Sequence, residues 1–174
     1  RAVAASVSHA TALRSQQLGM AMGLPDPVPY EALAIHDNGS EALQALRRVI
    51  DSAQSRLEVS TFLFGRDVLG DEIAERLKQR AREGVRVRLL IDGIGIYLGG
   101  YTDFKALREA GVEMVRFVSP FRSPKRERTN LRNHRKMVIA DGAHLWCGGR
   151  NLAAEYFEGD PGALLNRLPW IDLS

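Results

Sequence analysis

The 174-residue sequence lacks most features of small secreted proteins and of membrane-spanning proteins. Its one cysteine, Cys147, excludes an intrachain disulfide, and no Cys/His spacing typical of a zinc site occurs. No apolar run reaches the roughly 18 residues that a membrane-spanning helix needs. The most apolar stretch, residues 85–101, contains two arginines and an aspartate. We therefore expect no transmembrane segment and no zinc site in this chain.

Composition and proline placement divide the chain into two parts. Charged residues make up 26% and hydrophobic residues 45%, a balance typical of globular domains. Residues 1–30 begin rich in alanine and serine and then contain three closely spaced prolines, which favour an extended linker. The length suits one domain or one half of a larger domain. We predict an N-terminal extension or linker over residues 1–30 and a folded domain over residues 31–174.

Helix-like and strand-like segments alternate along the predicted domain. Apolar residues at helical spacing indicate the helices, and runs of β-branched and aromatic residues indicate the strands. The predicted helices are a segment starting at Ser40 and the ranges 71–83 and 102–110. The predicted strands are 34–38, 57–64, 85–92, 112–118, 136–140 and 143–147, the last two joined by the tight-turn pair Asp141-Gly142. This order predicts an α/β fold with a mixed β-sheet flanked by helices in an α/β/α sandwich.

Positive charge is concentrated in residues 120–136, which we call the basic segment. Seven basic residues against one acidic residue give it a net charge of +6, whereas the whole chain carries +3. One interpretation is a solvated loop that keeps the protein soluble. The other is contact with an anionic surface. The candidate contact residues are Arg122, Lys125, Arg126, Arg128 and Arg132.

The end of the basic segment carries the candidate chemistry. His134 and Lys136 are two residues apart, so on an extended chain their side chains face the same side. An imidazole can attack phosphorus or transfer a proton, and an ammonium can neutralise charge on phosphoryl oxygens, so the pair suits phosphoryl transfer. Asp141 either orients a histidine or is a hairpin turn residue.

Small and polar residues follow the last predicted strand. Gly148 and Gly149 either let the backbone approach a ligand or simply end the strand. Asn151 can donate its amide to a phosphate oxygen. Arg150 is expected to be a surface or structural charge. Cys147 lies in an apolar strand, and free cysteine is among the most buried residue types, so we predict a buried structural thiol.

His134, Lys136 and Asp141 form an H-x-K-x4-D motif, and G-G-x-N follows it. This arrangement resembles the signature of the phospholipase D superfamily. The LEVSTFLF, GVRVRLLIDGIG, NLRNHRKMVIADG and WCGGRNLAAEYF runs resemble the N-terminal half of bacterial cardiolipin synthases, as does the final tryptophan-x-aspartate of Trp170 and Asp172. The resemblance implies a phospholipase D-like fold and a location at the bacterial inner membrane.

The resemblance also implies a mechanism. One histidine attacks a phosphodiester to form a covalent phosphohistidine, and a histidine from a second motif protonates the leaving alcohol. Water or another alcohol then resolves the intermediate. Most members of the superfamily need no metal for this chemistry, and no cofactor is expected. By this resemblance the catalytic residues are His134, Lys136 and Asp141, with Asp141 supporting a histidine. The phosphate-binding residues are Lys136, Asn151, Gly148 and Gly149.

The sequence contains one such motif, whereas the superfamily reaction needs two. None of the remaining histidines, His9, His36 and His144, is followed two residues later by lysine. We therefore expect a second catalytic half, either beyond Ser174 or from a homodimer mate, and an isolated half that is inactive.

Three functions fit these features. The first is phosphatidyl transfer or phospholipid hydrolysis, with the basic segment on anionic headgroups at a membrane surface. The second is a dimeric nuclease, because a basic segment suits a phosphate backbone equally well. The segment has few aromatic residues to stack bases, so nucleic acid is the weaker partner. The third is a non-catalytic domain that binds phosphate or anionic lipid.

Overall fold

The computed structural model describes residues 9–26, 28–118, 131–158, 172 and 174. The chain divides into two compact units, residues 1–35 and residues 36–174. The first unit contains helix α1 (His9–Ala21). All the remaining elements, and every predicted site residue that the structure describes, belong to the second unit.

The second unit begins with helix α2 (Gly39–Ser52), slightly earlier than its predicted start at Ser40. Asn38 caps it, because the Asn38 side chain accepts a hydrogen bond of 2.8 Å from the Glu41 N–H. The strand predicted at residues 34–38 is wrong: no regular strand forms there. Residue His36 instead exchanges two backbone hydrogen bonds with Ser174, of 2.7 and 3.1 Å, and the following residues lead into the helix cap.

Two parallel strands and the helix between them form the centre of the domain. Strand β1 (Arg56–Thr61) pairs with strand β2 (Arg86–Asp92), and helix α3 (Val68–Arg82) connects them. Strand β1 stops three residues before the predicted end at Phe64, where the Thr61 hydroxyl donates to the Leu63 carbonyl. Helix α3 starts three residues before the predicted start at Asp71, because Asp67 caps it.

The sheet of the described residues has five strands in the order β3-β2-β1-β4-β5. Strand β3 (Glu113–Phe117) pairs parallel with β2, whereas strand β4 (Lys136–Ala140) pairs antiparallel with both β1 and β5 (His144–Gly148). Two short helices, α4 (Gly95–Gly99) and α5 (Phe104–Glu109), lie between β2 and β3. The predicted fold class, a mixed sheet flanked by helices, is confirmed.

The hydrophobic core lies between helices α2 and α3 and one face of the sheet. Strand residues with the same pleat direction, such as Val59, Leu89 and Val138, are at most 3% exposed. Burial of each such side chain contributes on the order of 2 kcal/mol. Trp146 of β5 joins this layer and donates its indole N–H to the Ala42 carbonyl of α2 at 3.1 Å. No helix in the described part of the chain is both long and apolar enough to cross a bilayer.

The prediction that Cys147 is buried is wrong: its side chain is exposed. Trp146 points into the core, and successive strand residues face opposite sides of the sheet. Cys147 and Leu145 therefore face away from helix α2, and Leu145 is 57% exposed.

The exposed position of Cys147 predicts rapid reaction with a thiol reagent. We expect a small maleimide to label the native protein at a rate close to that of the denatured protein. The measurement is the mass shift against time, and Cys147→Ser serves as the control without label. Slow labelling of the folded chain that becomes fast in denaturant would contradict this exposure.

Candidate active site

A buried lysine ammonium lies at the start of strand β4. Lys136 is 4% exposed and belongs to the helix-facing row of its strand, which continues with Val138. Its Nζ donates a 2.8 Å hydrogen bond to the carbonyl of His134 and lies 5.6 Å from the ring centre of Phe62. Burial lowers the pKa of Lys136, and the carboxylate of Asp172 opposes that effect. The site thus holds a cation with little access to water.

The imidazole of His134 lies beside this cation but is exposed to solvent. Its ring centre is 4.9 Å from that of Phe62, at an interplanar angle of 53°. The Phe62 ring therefore contacts both His134 and Lys136. An exposed imidazole next to a dehydrated ammonium can meet a substrate phosphate and leave the ammonium to neutralise its charge.

Asn151, three residues after the end of strand β5, contacts the segment that follows Phe62. Its side-chain oxygen accepts a hydrogen bond of 3.4 Å from the N–H of Leu63, the residue after Phe62, and its side chain also bonds Tyr156. Asn151 is 4% exposed. The structure thus brings His134, Lys136 and Asn151 around residues 62–63.

The two glycines before Asn151 differ in their surroundings. Gly148 lies directly opposite Lys136 in the β4–β5 pairing. A Cβ at Gly149 would lie 1.7 Å from a carboxylate oxygen of Asp172, so any larger residue would require the Asp172 side chain to move. The sequence predicts that these glycines let the backbone approach a ligand. In this structure the group next to Gly149 is the carboxylate of Asp172, which also interacts electrostatically with Lys136.

A buried network fixes the backbone just before His134. The N–H of Asn133 donates to one carboxylate oxygen of Asp92 at 2.8 Å, and the other oxygen accepts from the N–H of Ile94, also at 2.8 Å. The Asn133 side chain donates to the hydroxyl of Ser60 at 2.8 Å. Asp92 is fully buried and Asn133 is 3% exposed. The exposed His134 therefore follows a residue that is locked to both β1 and β2.

Arg150 is a structural charge, one of the two alternatives expected from the sequence. It is fully buried and donates to the carbonyls of Tyr156 and Asp37 and to the hydroxyl of Ser174, at 3.0–3.2 Å. Burial lowers the pKa of Arg150, and Asp172 and Asp37 oppose this.

Asp141 lies at the opposite end of strand β4 from Lys136, in the turn to β5. Its carboxylate accepts hydrogen bonds of 2.7–2.9 Å from the backbone N–H groups of Gln54, Ser55 and Arg56 and from the Ser55 hydroxyl. Its contacts in this chain are those of a turn residue that joins the β4–β5 turn to the start of β1. The backbone N–H of Arg56, followed by the Ser55 hydroxyl and the other N–H groups, lowers the pKa of Asp141 far below its usual range.

Most of the basic segment falls outside the described residues. Arg122, Lys125, Arg126 and Arg128 are not among them. Arg132 is partly buried and donates to the Leu131 carbonyl at 2.9 Å, and Arg135 is exposed next to His134. Within the described ranges, no three His, Cys, Asp or Glu side chains are placed to hold a metal ion.

Comparisons with known proteins agree with this geometry. A family described as "Cardiolipin synthase, PLD-like domain" matches residues 46–164, well over half of the chain. The chain belongs to this family. It is 35% identical over 125 residues to a cardiolipin synthase of Halalkalibacterium halodurans and 38% identical over 124 residues to cardiolipin synthase 2 of Bacillus anthracis. Each match covers 71% of this chain but only 25% and 24% of the relative, so the chain spans about a quarter of their length.

A solved structure supports the PLD-like fold. NucT from Helicobacter pylori matches with a TM-score of 0.50 and 18% sequence identity, covering 73% of this chain and 79% of that chain. The fold inferred from the motif resemblance is therefore confirmed by both sequence and structure.

Sequence reasoning missed three residues of this PLD-like site: Phe62, Asp92 and Asn133. Phe62 was placed inside a buried strand, whereas the strand ends before it. An aspartate at the end of a hydrophobic strand and an asparagine directly before the histidine were the available signals. Neither signal shows that the two residues, 41 positions apart, are hydrogen-bonded.

Replacing the Asp141 carboxylate should lower the stability of the folded state and make that stability less dependent on pH. A group whose pKa is depressed by folding stabilises the folded state above its unfolded pKa of about 3.9, and this contribution is lost as the pH falls below that value. We expect Asp141→Asn to lower the urea midpoint at pH 7 and to differ much less from the unmodified chain near pH 2.5. Asp26→Asn, at an exposed aspartate, is the control. An equal loss at both pH values would contradict the role of the ionised carboxylate.

Proposed function

We propose that this PLD-like domain supplies one catalytic half of an enzyme that transfers or hydrolyses phosphodiesters of phospholipids. The observation that carries the proposal is the exposed imidazole of His134 next to the buried ammonium of Lys136, both against Phe62. Family membership and the cardiolipin synthase relatives favour a phospholipid as the substrate.

In the proposed first step, an imidazole nitrogen of His134 attacks phosphorus and forms a P–N bond. The P–O bond to the leaving alcohol breaks, and a second imidazole from outside this chain protonates the alkoxide. Lys136 neutralises charge on the non-bridging oxygens. Water or another alcohol then gives up its proton to that second imidazole and attacks phosphorus, which breaks the P–N bond and restores His134.

The second imidazole must come from another copy of the motif. His144 pairs with Ala140 at the end of β5 far from Gly148 and Lys136, and His36 lies near Glu41, with its Nδ1 3.5 Å from that carboxylate. Among the histidine side chains that the structure describes, neither of these two is placed beside His134. We therefore propose that activity needs a second half, from another region of a longer protein or from a second chain.

His134→Ala should remove nearly all turnover of phosphatidylglycerol by the assembled protein, a loss of at least about a hundredfold. His144→Ala is the matched control and should leave turnover unchanged. In the unmodified protein, a radiolabelled phosphatidyl group should remain on the denatured chain in alkali and be released by acid, as a P–N bond requires. Turnover or labelling that persists in His134→Ala would contradict the mechanism.

Single-stranded DNA should be assayed in parallel. Cleavage of DNA with no action on lipid would overturn the substrate part of the proposal and leave the role of His134 intact. Specific activity should also fall on dilution if two chains form the site, whereas a dilution-independent activity of a proven monomer would contradict the need for a second half.

We also propose that the cations of the basic segment before Asn133 bind anionic membrane surfaces rather than taking part in chemistry. Two arginines near such a surface contribute about 1 kcal/mol each, so Arg126→Ala with Arg128→Ala should weaken binding to phosphatidylglycerol-containing vesicles roughly ten- to thirtyfold. The salt dependence of binding should become flatter. Arg48→Ala with Arg82→Ala, at exposed helix positions outside the segment, is the control for charge. An equal loss of turnover on a short soluble phosphodiester would place Arg126 and Arg128 in the active site instead.

A further inference from the structure

A cavity lies beside helices α4 and α5. Its volume is about 900 Å³, within the usual range of about 300–1,000 Å³ for ligand pockets. None of the proposed site residues lines it. It is therefore separate from the site around His134.

The walls of this cavity combine an apolar floor with a basic rim. The floor consists of Ile91, Ile96, Phe104 and Met114, of which Ile91 is 1% exposed. The rim carries three cations, which are Lys105, Arg108 and Arg116. Among the described residues that line the cavity, none is acidic.

The rim cations are little neutralised by the protein itself. Lys105 pairs with Glu109 at 3.4 Å across an exposed helix turn, a geometry that contributes little. In the described part of the chain, neither Arg108 nor Arg116 makes a side-chain hydrogen bond or ion pair, and both are exposed. By contrast, Arg86 and Arg88 on the other face of the sheet share Glu113, at 3.0 and 2.9 Å. The cavity therefore has positive charge available for a ligand.

We propose that this cavity binds an acidic amphiphile, with the hydrocarbon chain on the apolar floor and the anionic head at Arg108 and Arg116. Burial of the chain supplies affinity through the hydrophobic effect, and the guanidinium groups select an acidic head over a neutral one. The head is a phosphate or a carboxylate, so the source is a phospholipid or a fatty acid. This site does not depend on the reaction proposed for His134.

The test is a methyl NMR titration of the 174-residue chain with dodecyl phosphate below the concentration at which it forms micelles. We expect saturable shifts of the Ile96 and Met114 methyl signals, while the methyl signals of Ile73, on the buried face of helix α3, do not shift. Inorganic phosphate and the uncharged dodecyl maltoside should bind at least about tenfold more weakly. A titration with dodecanoate distinguishes the two sources. Tighter binding of dodecyl phosphate indicates a phosphate head group, and tighter binding of dodecanoate indicates a carboxylate.

Charge variants make the proposal falsifiable. Arg108→Gln and Arg116→Gln should each weaken dodecyl phosphate binding about tenfold, whereas Arg48→Gln, at an exposed position on α2, should not change it. The unchanged Ile73 signal verifies folding of each variant. Absence of saturable shifts with both acids, equal binding by all three variants, or equally tight binding of inorganic phosphate would overturn the proposal. His134→Ala should bind as the unmodified chain does, so failure of the proposed reaction leaves this result interpretable.

Discussion

The buried ammonium of Lys136 is the constraint on which the site depends. Removing an ammonium from water costs several kcal/mol unless hydrogen bonds and opposite charge compensate it. Here the compensation comes from the His134 carbonyl, the Phe62 ring and the Asp172 carboxylate, which belong to three separate segments. A shift of any one of these segments would remove part of the compensation for the buried charge. The ammonium therefore constrains the positions of all three segments.

Strand pairing brings those segments to one edge of the sheet. Strand β4 runs antiparallel to β1, so the start of β4 lies beside the end of β1, where Phe62 follows. Helix α4 packs closely against Phe62, since a Cβ at Gly95 would lie 1.5 Å from the Phe62 carbonyl oxygen. Asp92 at the end of β2 then holds Asn133 through its backbone N–H. Three neighbouring strands thus position an imidazole that remains exposed.

Local pattern predicted most of the fold and part of the site. Periodicity located the helices and strands of the sheet to within a few residues, because their burial depends on local spacing. The i, i+2 spacing predicted that His134 and Lys136 would share a face. The spacing between Lys136 and Asp141 also predicts the distance between them. Five strand residues span about 16 Å, so Asp141 lies far from Lys136 of the same chain. The H-x-K-x4-D motif does not show this distance, because it groups residues by their position in the sequence.

Other features depend on contacts that a single sequence does not encode locally. Cys147 sits in an apolar strand, but its orientation is set by Trp146, whose indole reaches the Ala42 carbonyl of another element. The role of Asp92 depends on an N–H 41 residues away. Strand pairing brings Phe62 beside Lys136. The Asp172 carboxylate can lie close to Gly149 because glycine has no side chain.

Helix α4 and the end of strand β2 contribute residues to both the site and the cavity. Gly95 presses against the Phe62 backbone, while the next residue, Ile96, lines the cavity. Ile91 likewise lines the cavity, and the adjacent Asp92, on the other face of the sheet, anchors the backbone before His134. The apolar floor of the cavity and the pair of His134 and Lys136 are therefore separate but attached to the same stretch of backbone. Under the two proposals, an acidic amphiphile and a reacting phosphodiester would therefore bind at separate places that share this stretch of backbone.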